Sequence, residues 1–214
     1  MCEETENREV PQAATGSFVI KSKPEDKIDT IVREADLPRL CETYPELAAL
    51  TGTGGLSGPM LYLAPSAVAA IKGHIGWDSK TGTNVCEQGG LLIGRPFDVD
   101  GSVLAVAEHA IPAEPSRASS AYLEMGTGTW AKMLDIYDEN YKDAGLFVVG
   151  WFHTHPNSLP VFMSGTDRAT QRSFFSERWH FALVLNPHRR LAACFHAADA
   201  DPCALAPQDF AEEA

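Results

Sequence analysis

The five cysteines of this 214-residue chain, Cys2, Cys41, Cys86, Cys194 and Cys203, are odd in number and scattered, and no two stand as Cys-x-x-Cys. That pattern argues against both a disulfide framework and a Cys-rich structural zinc site. Cys86 precedes Glu87 directly, but nothing around it has the form of a Cys-His hydrolase. Basic residues are also scarce. The 17 Lys and Arg against 29 Asp and Glu give a net charge of −12, and no basic run exists to hold nucleic acid or an anionic membrane. No apolar stretch approaches the ~20 residues of a membrane-spanning helix. The amino terminus, Met1-Cys-Glu-Glu-Thr-Glu-Asn-Arg, lacks the basic-then-apolar order of a signal peptide, so a cytoplasmic location is expected. Internal repeats are absent. What is present is ordinary globular composition, 44% apolar and 21% charged, in a length that suits one domain with a full core.

The chain divides into three parts. Residues 1–58 are an appendage with a Gly-rich linker, 59–198 the main domain, and 199–214 an acidic tail expected to fray. Residues 1–16 have the composition of a disordered segment. Ser17–Lys21 reads as a short strand, and Pro24, Glu25 and Asp26 open a helix over Lys27–Glu34. Pro38 and Pro45 interrupt any long helix after it, and Thr51–Pro59 is the linker. The apolar pieces here are too few for a separate core, so they are expected to dock on the domain that follows or on a partner.

Within the domain, a strand at Met60–Leu63 precedes a helix from Pro65 with Val68, Ile71 and Ile75 on one face. Gln88–Gly94 and Ser102–Ala110 read as strands joined through Phe97–Gly101, whose Asp100-Gly101 favours a hairpin turn. Tyr122–Met125 is a further candidate strand. Thr129–Tyr141 reads as a helix with Trp130, Met133, Leu134, Tyr137 and Tyr141 on its packing face. A helix over Arg168–Phe175 and strands at His180–Leu185 and Leu191–Phe195 complete it. Strands mixed with three helices predict an α/β domain, a sheet covered by helices.

The chemistry-bearing stretch is Gly150-Trp-Phe-His153-Thr-His155-Pro156. The apolar run from Leu146 to Phe152 reads as a buried strand. Side chains two apart on a strand share a face, so His153 and His155 can reach one cation while Thr154 turns away. Asp167, where the chain re-enters helix, completes a His-His-Asp set. Three protein ligands leave a fourth position for water, which is the catalytic pattern for zinc. Each half also has a plainer meaning: paired histidines at a strand end are often only polar residues, and Ser164-x-x-Asp167 is also a helix capping box. His74, His109, His180, His188 and His196 have no partner at ligand spacing and are expected to be structural or solvated.

Taken together, His153-Thr-His155-Pro, Ser164-x-x-Asp167 and the upstream Glu87-Gln-Gly-Gly-Leu-Leu-Ile-Gly94 resemble the JAMM/MPN+ (JAB domain) zinc metalloproteases over residues 59–198, and more closely the bacterial deubiquitinase-like members. One departure is visible. Pro156 to Met163 makes eight residues between the second His and the Ser where the family pattern usually has seven. The resemblance implies a cytidine-deaminase-like three-layer MPN domain, a mixed sheet covered by helices. Deaminase chemistry itself is disfavoured, because neither His-x-Glu nor Pro-Cys-x-x-Cys is present.

The resemblance further implies Zn2+ on His153, His155 and Asp167, with Glu87 as the proton shuttle. Ser164 would donate to the oxyanion, cap the helix, or do both. The implied reaction is hydrolysis of the amide after the carboxyl-terminal glycine of a ubiquitin-like protein or its conjugates, in a bacterial conjugation or antiphage system with other components. Processing of sulfur-carrier precursors is a second enzymatic possibility, and a metal-free MPN scaffold assembling partners is the non-enzymatic one. An extended tail is expected to add to an exposed strand edge near Phe152-His153 and the 157–162 loop.

Overall fold

The computed structural model describes residues 31–48, 56–79, 87–114, 127–155, 159–206 and 210. In chain order its elements are β1 (Arg33–Glu34), α1 (Leu37–Thr43), β2 (Met60–Leu63), α2 (Pro65–Ile75), β3 (Gly89–Val99), β4 (Ser102–Pro112), α3 (Thr127–Asn140), β5 (Phe147–Thr154), α4 (Gly165–Phe174), β6 (Phe181–Asn186), β7 (Leu191–His196) and β8 (Asp201–Ala206). The strands expected at 17–21 and 122–125 lie outside the described residues, as do 27–30 of the helix expected over Lys27–Glu34. Its last two residues, Arg33 and Glu34, are extended and pair in parallel with Phe97 and Asp98.

The expected open, helix-covered mixed sheet of the MPN fold is corrected by the strand order. The sheet runs β1-β3-β4-β2-β8-β7-β6-β5, and β5 then pairs back onto β3. Seven strands, β3 to β8 with β2, thus form a closed mixed barrel with four helices against it. Two features close it. First, β3 is eleven residues long and is bonded on both edges, to β4 along its length and to β5 over residues 89–94. Its register slips between Ile93 and Gly94 against β4, and between Leu92 and Ile93 against β5. Paired bulges of this kind bend and twist a strand and allow a sheet to curl shut. Second, the tail expected to fray supplies β8, which lies between β2 and β7. Its acidic flanks hid a short alternation in which Cys203 and Leu205 turn inward against the buried cluster.

Alternation along the strands sorts the core. One face, including Leu61, Leu63, Leu92, Ala105, Phe152, Phe181 and Leu183, packs against Val68, Ile71 and Ile75 of α2. On the other face, Leu91, Ile93, Trp151, Ala182 and Val184 meet Met133 of α3 and Phe175 at the end of α4. Farther round that face, Tyr62, Phe97, Leu104 and Val106 receive Leu37, Leu40 and Leu47. The 31–48 segment is therefore docked on the barrel, aided by a 2.9 Å bond from the Tyr44 hydroxyl to Glu108.

The hairpin tightens to two residues, Asp100 and Gly101, both at positive φ, as a type I′ turn requires. Consequently β3 continues through Pro96 to Val99, farther than its sequence suggested. Leu134 departs from the expected α3 stripe: it is 38% exposed, whereas Trp130, Tyr137 and Tyr141 pack inward.

Gly150 pairs with Phe181 where β5 runs close against β6. A Cβ there would stand 2.0 Å from the Phe181 carbonyl oxygen, a backbone atom that cannot swing aside. Gly150→Ala should therefore force β5 away from β6 and cost about 1–3 kcal/mol, the usual range for overpacking. Urea denaturation of the two proteins measures it, and an unchanged midpoint would show that the strands tolerate the side chain.

Candidate metal centre

The end of β5 is held on both sides before any functional group is considered. Thr154 N–H donates to Gln88 O at 2.8 Å, Gln88 N–H donates to Thr154 Oγ1 at 2.8 Å, and His155 N–H donates to Leu185 O at 2.8 Å. Thr154 turns towards β3, as its place between the two histidines predicts. His153 and His155 share the face of Trp151, on which α3 and α4 lie. Both are buried, at 2% and 4% exposure.

Asp167 comes to this face from the first turn of α4. Ser164 is the N-cap: its Oγ accepts from Asp167 N–H at 3.2 Å, and its own N–H donates to Asp167 Oδ2 at 2.7 Å. The capping box and the ligand set are thus one structure, because the reciprocal bond aims the carboxylate. His153 Nε2 lies 3.4 Å from Asp167 Oδ1, and His155 Nε2 lies 3.7 Å from Oδ2. Ligating atoms from all three residues lie within 4.8 Å of one another. Donors at ~2.1 Å around a tetrahedral zinc stand roughly 3.4 Å apart, so the two measured separations fit that cation.

The remaining ring nitrogens point the same way. His155 Nδ1 lies 2.7 Å from Pro160 O, an acceptor only, so Nδ1 carries the proton and Nε2 offers its lone pair. Both nitrogens of His153 are buried with no hydrogen-bond partner, an uncommon state for a buried polar group and one that ligation relieves at one nitrogen. Burial pushes the Asp167 carboxyl up. The close approach and charge of the two histidines, together with the bond from Ser164, outweigh it and hold the group well below the usual carboxylate range. For His155, burial lowers the pKa, but Asp167, Pro160 O and the Glu87 charge carry it upward on balance.

Glu87 sits just before β3. The pairing of Gly89 with His153, continued two residues outward, sets Glu87 opposite His155. It is half-buried and acts on His155 through its charge, but it is not among the three residues clustered at ligand distance. The five other histidines join no metal-binding group among the described residues, and Cys86 lies outside them.

Three residues that support the site went unread in the sequence. The Trp151 ring stacks on His153 at 4.6 Å and 14°. Its Nε1–H donates to Gln171 Oε1 at 2.7 Å, and Gln171 Nε2 donates to Phe175 O and Ala197 O at 2.9 and 3.1 Å. Gln171 is fully buried. His153, which lacks a hydrogen-bonded partner to fix its ring, is oriented by stacking on an indole that is itself tethered. Asn186 serves the other histidine. Its Nδ2 donates to Leu159 O at 2.6 Å while its Oδ1 accepts from His188 and Arg189 N–H, which fixes the loop carrying Pro160. A polar residue one turn after Asp167 on α4, and another ending an apolar strand, were the available signals.

The expected strand addition beside His153 is corrected here. At the site, one edge of β5 is taken by β3 and the other by β6, so no edge is open to an incoming tail there. What lies open instead is side-chain surface: Leu159 and Phe162 are 46% and 42% exposed, and the Phe162 ring meets His155 edge-on at 4.8 Å. No protein-family model matches this chain, and no curated protein matches it either.

Gln171→Leu removes the acceptor for the Trp151 N–H and should loosen the His153 ring. Outer contacts of metal ligands are typically worth 10–100-fold in affinity, so zinc affinity, measured by competition with a chromophoric chelator, is expected to fall at least ~10-fold. Behind the stack, His180 is buried against Trp179 and Phe175, and burial drives its pKa down to about 3. The unfolded chain takes up this proton near ~6.5 and the folded one does not. Its contribution to stability is therefore complete above pH ~6.5 and lost as pH falls towards 3, on the order of 2 kcal/mol between pH 7 and 4.5. His180→Phe should flatten the acid side of the stability–pH curve, and an unchanged slope would rule the group out as its source.

Proposed function

We propose that this protein is a zinc-dependent metalloprotease of the JAMM kind, an isopeptidase that hydrolyses the amide after the carboxyl-terminal glycine of a ubiquitin-like protein. The observation that carries this is the His153-His155-Asp167 donor set, two buried imidazoles and a half-buried carboxylate, with His–Asp separations suited to a tetrahedral cation. The motifs His153-Thr-His155-Pro and Ser164-x-x-Asp167, with Glu87 set opposite His155, support the same reading. When bound there, zinc would supply Lewis-acid polarisation of the scissile carbonyl and lower the pKa of a water from ~15.7 towards ~7.

The chain's own groups divide the remaining work. Glu87, near the ligands but not clustered with them, takes a proton from the attacking water and delivers it to the leaving amine, which departs poorly unprotonated. The Ser164 oxygen already accepts from Asp167 N–H, so its hydroxyl hydrogen is available to donate to the developing oxyanion. Exposed Leu159 and Phe162 flank the approach to His155 and offer apolar contact to a substrate.

Among the described residues no helix is long and apolar enough to cross a membrane. The described cysteines, Cys41, Cys194 and Cys203, are free thiols, in keeping with a cytoplasmic enzyme that acts within a bacterial ubiquitin-like conjugation system.

Glu87→Gln should keep zinc and stability while lowering turnover of a ubiquitin-like carboxyl-terminal amide by at least ~100-fold, and Asp167→Ala should lose zinc. Elemental analysis, thermal melts and cleavage assays with and without chelator read these out. A chain that binds no zinc when metal-replete, or that stays active under chelation, is not this enzyme. Loss of zinc in Glu87→Gln would make that residue a ligand. Equal cleavage of tails ending in glycine and in valine would replace the ubiquitin-like substrate by peptides in general.

A further inference from the structure

Two thiols meet across the seam between β7 and β8. The register sets Cys194 directly opposite Cys203, with Phe195 facing Pro202 and His196 facing Asp201. Opposed residues of an antiparallel pair share a face, with Cα atoms about 4.5 or 5.5 Å apart according to the kind of pair. A disulfide spans Cα separations of roughly 4.4–6.8 Å, so either kind admits the bond with the backbone in its present course. Burial, and then the neighbouring Cys203, push the Cys194 thiol up. Both are free, Cys194 buried and Cys203 half-buried, so Cys203 is the more accessible of the two to an oxidant.

The hairpin they span supports the helix that carries Asp167. Ala197 O, in the turn after β7, accepts from Gln171, and Asp199 O accepts from Arg168 at 2.7 Å. Yet β8 is held by only three register pairs to β7 and three to β2.

We propose that Cys194 and Cys203 are a reversible disulfide site, oxidised by a hydroperoxide, that fastens the β7–β8 hairpin on which α4 rests. Cys203 sulfur attacks one peroxide oxygen; the O–O bond breaks, an S–O bond forms, and the thiol proton leaves with the other oxygen as water. Cys194 sulfur then attacks Cys203 sulfur. The S–O bond breaks, the S–S bond forms, and the Cys194 proton leaves with the hydroxyl as a second water. The thiol pair loses two electrons, and hydrogen peroxide gains them.

The test uses the full reduced chain, treated with stoichiometric hydrogen peroxide, alkylated under denaturing conditions and mapped by peptide mass spectrometry. The expected product is a Cys194–Cys203 cross-linked peptide, about two mass units lighter than its reduced parts, which dithiothreitol reverses. Closing a ten-residue loop should raise the melting temperature on the order of 5 °C, and Cys203→Ser or Cys203→Ala should abolish the rise. Recovery of Cys203 as sulfinic acid with Cys194 still alkylatable, cross-linking through other cysteines only, or a cross-link that leaves the melt unchanged would each overturn the proposal. The wild-type mapping needs no variant to fold.

Discussion

The pairing of β5 with the first half of β3 is the contact on which the rest depends. It is the last ladder needed to close the barrel, and the same ladder aligns Gly89 with His153. Without it β5 would be an edge strand, and Glu87 would belong to a loop with no fixed relation to the histidines. With it, the start of one strand and the end of another lie side by side. A carboxylate and two imidazoles, 66 and 68 residues farther along the chain, then share one end of the barrel. The bulges in β3 make this possible, because a straight eleven-residue strand could not follow β5 at one end and β1 at the other.

A second constraint acts on Asp167. Its carboxylate receives the Ser164 N–H and faces both histidines, so the bond that starts the helix also fixes the direction of a half-buried charge beside two rings. Such a charge is costly unless paired. Here the helix N-terminus, whose dipole favours an anion, and the imidazoles provide that pairing together. The plainer meaning of Ser164-x-x-Asp167 and the chemical one are therefore the same arrangement. Orientation of His153 by a stacked, Gln171-tethered indole completes a cluster with little freedom to rearrange.

Local features were legible in the sequence. Met60–Leu63, the α2 stripe, the β5 strand and the His153-His155-Asp167 cluster follow from periodicities of two and 3.6 and from capping chemistry, all properties of a few neighbouring residues. Closure was not legible. Whether a sheet stays open depends on which strands pair at long range, and the deciding pieces were a bulge at Gly94 and a short strand in a tail that reads as acidic. Gly94 announces only that a Cβ is unwelcome, and what excludes it, the Val106 carbonyl 1.8 Å from where that carbon would lie, belongs to another strand. Gln171 was hidden for a related reason. A glutamine on a polar helix looks solvated until the packing brings Trp151, Phe175 and Ala197 to it.

Closure also changes how a substrate could be held. An open sheet offers main-chain hydrogen bonds at its edge, and these grip an extended tail whatever its side chains are. With β3 and β6 on either side of β5, those bonds are already spent within the protein beside the His153-His155-Asp167 cluster. On the proposed function, a tail approaching His155 would meet Phe162 and Leu159, which are apolar and exposed, and its recognition would rest on side-chain contact. Contacts of that kind discriminate by size and shape. Under the proposed function, a closed barrel with its site at one end therefore favours selectivity at the scissile residue over main-chain affinity for the tail.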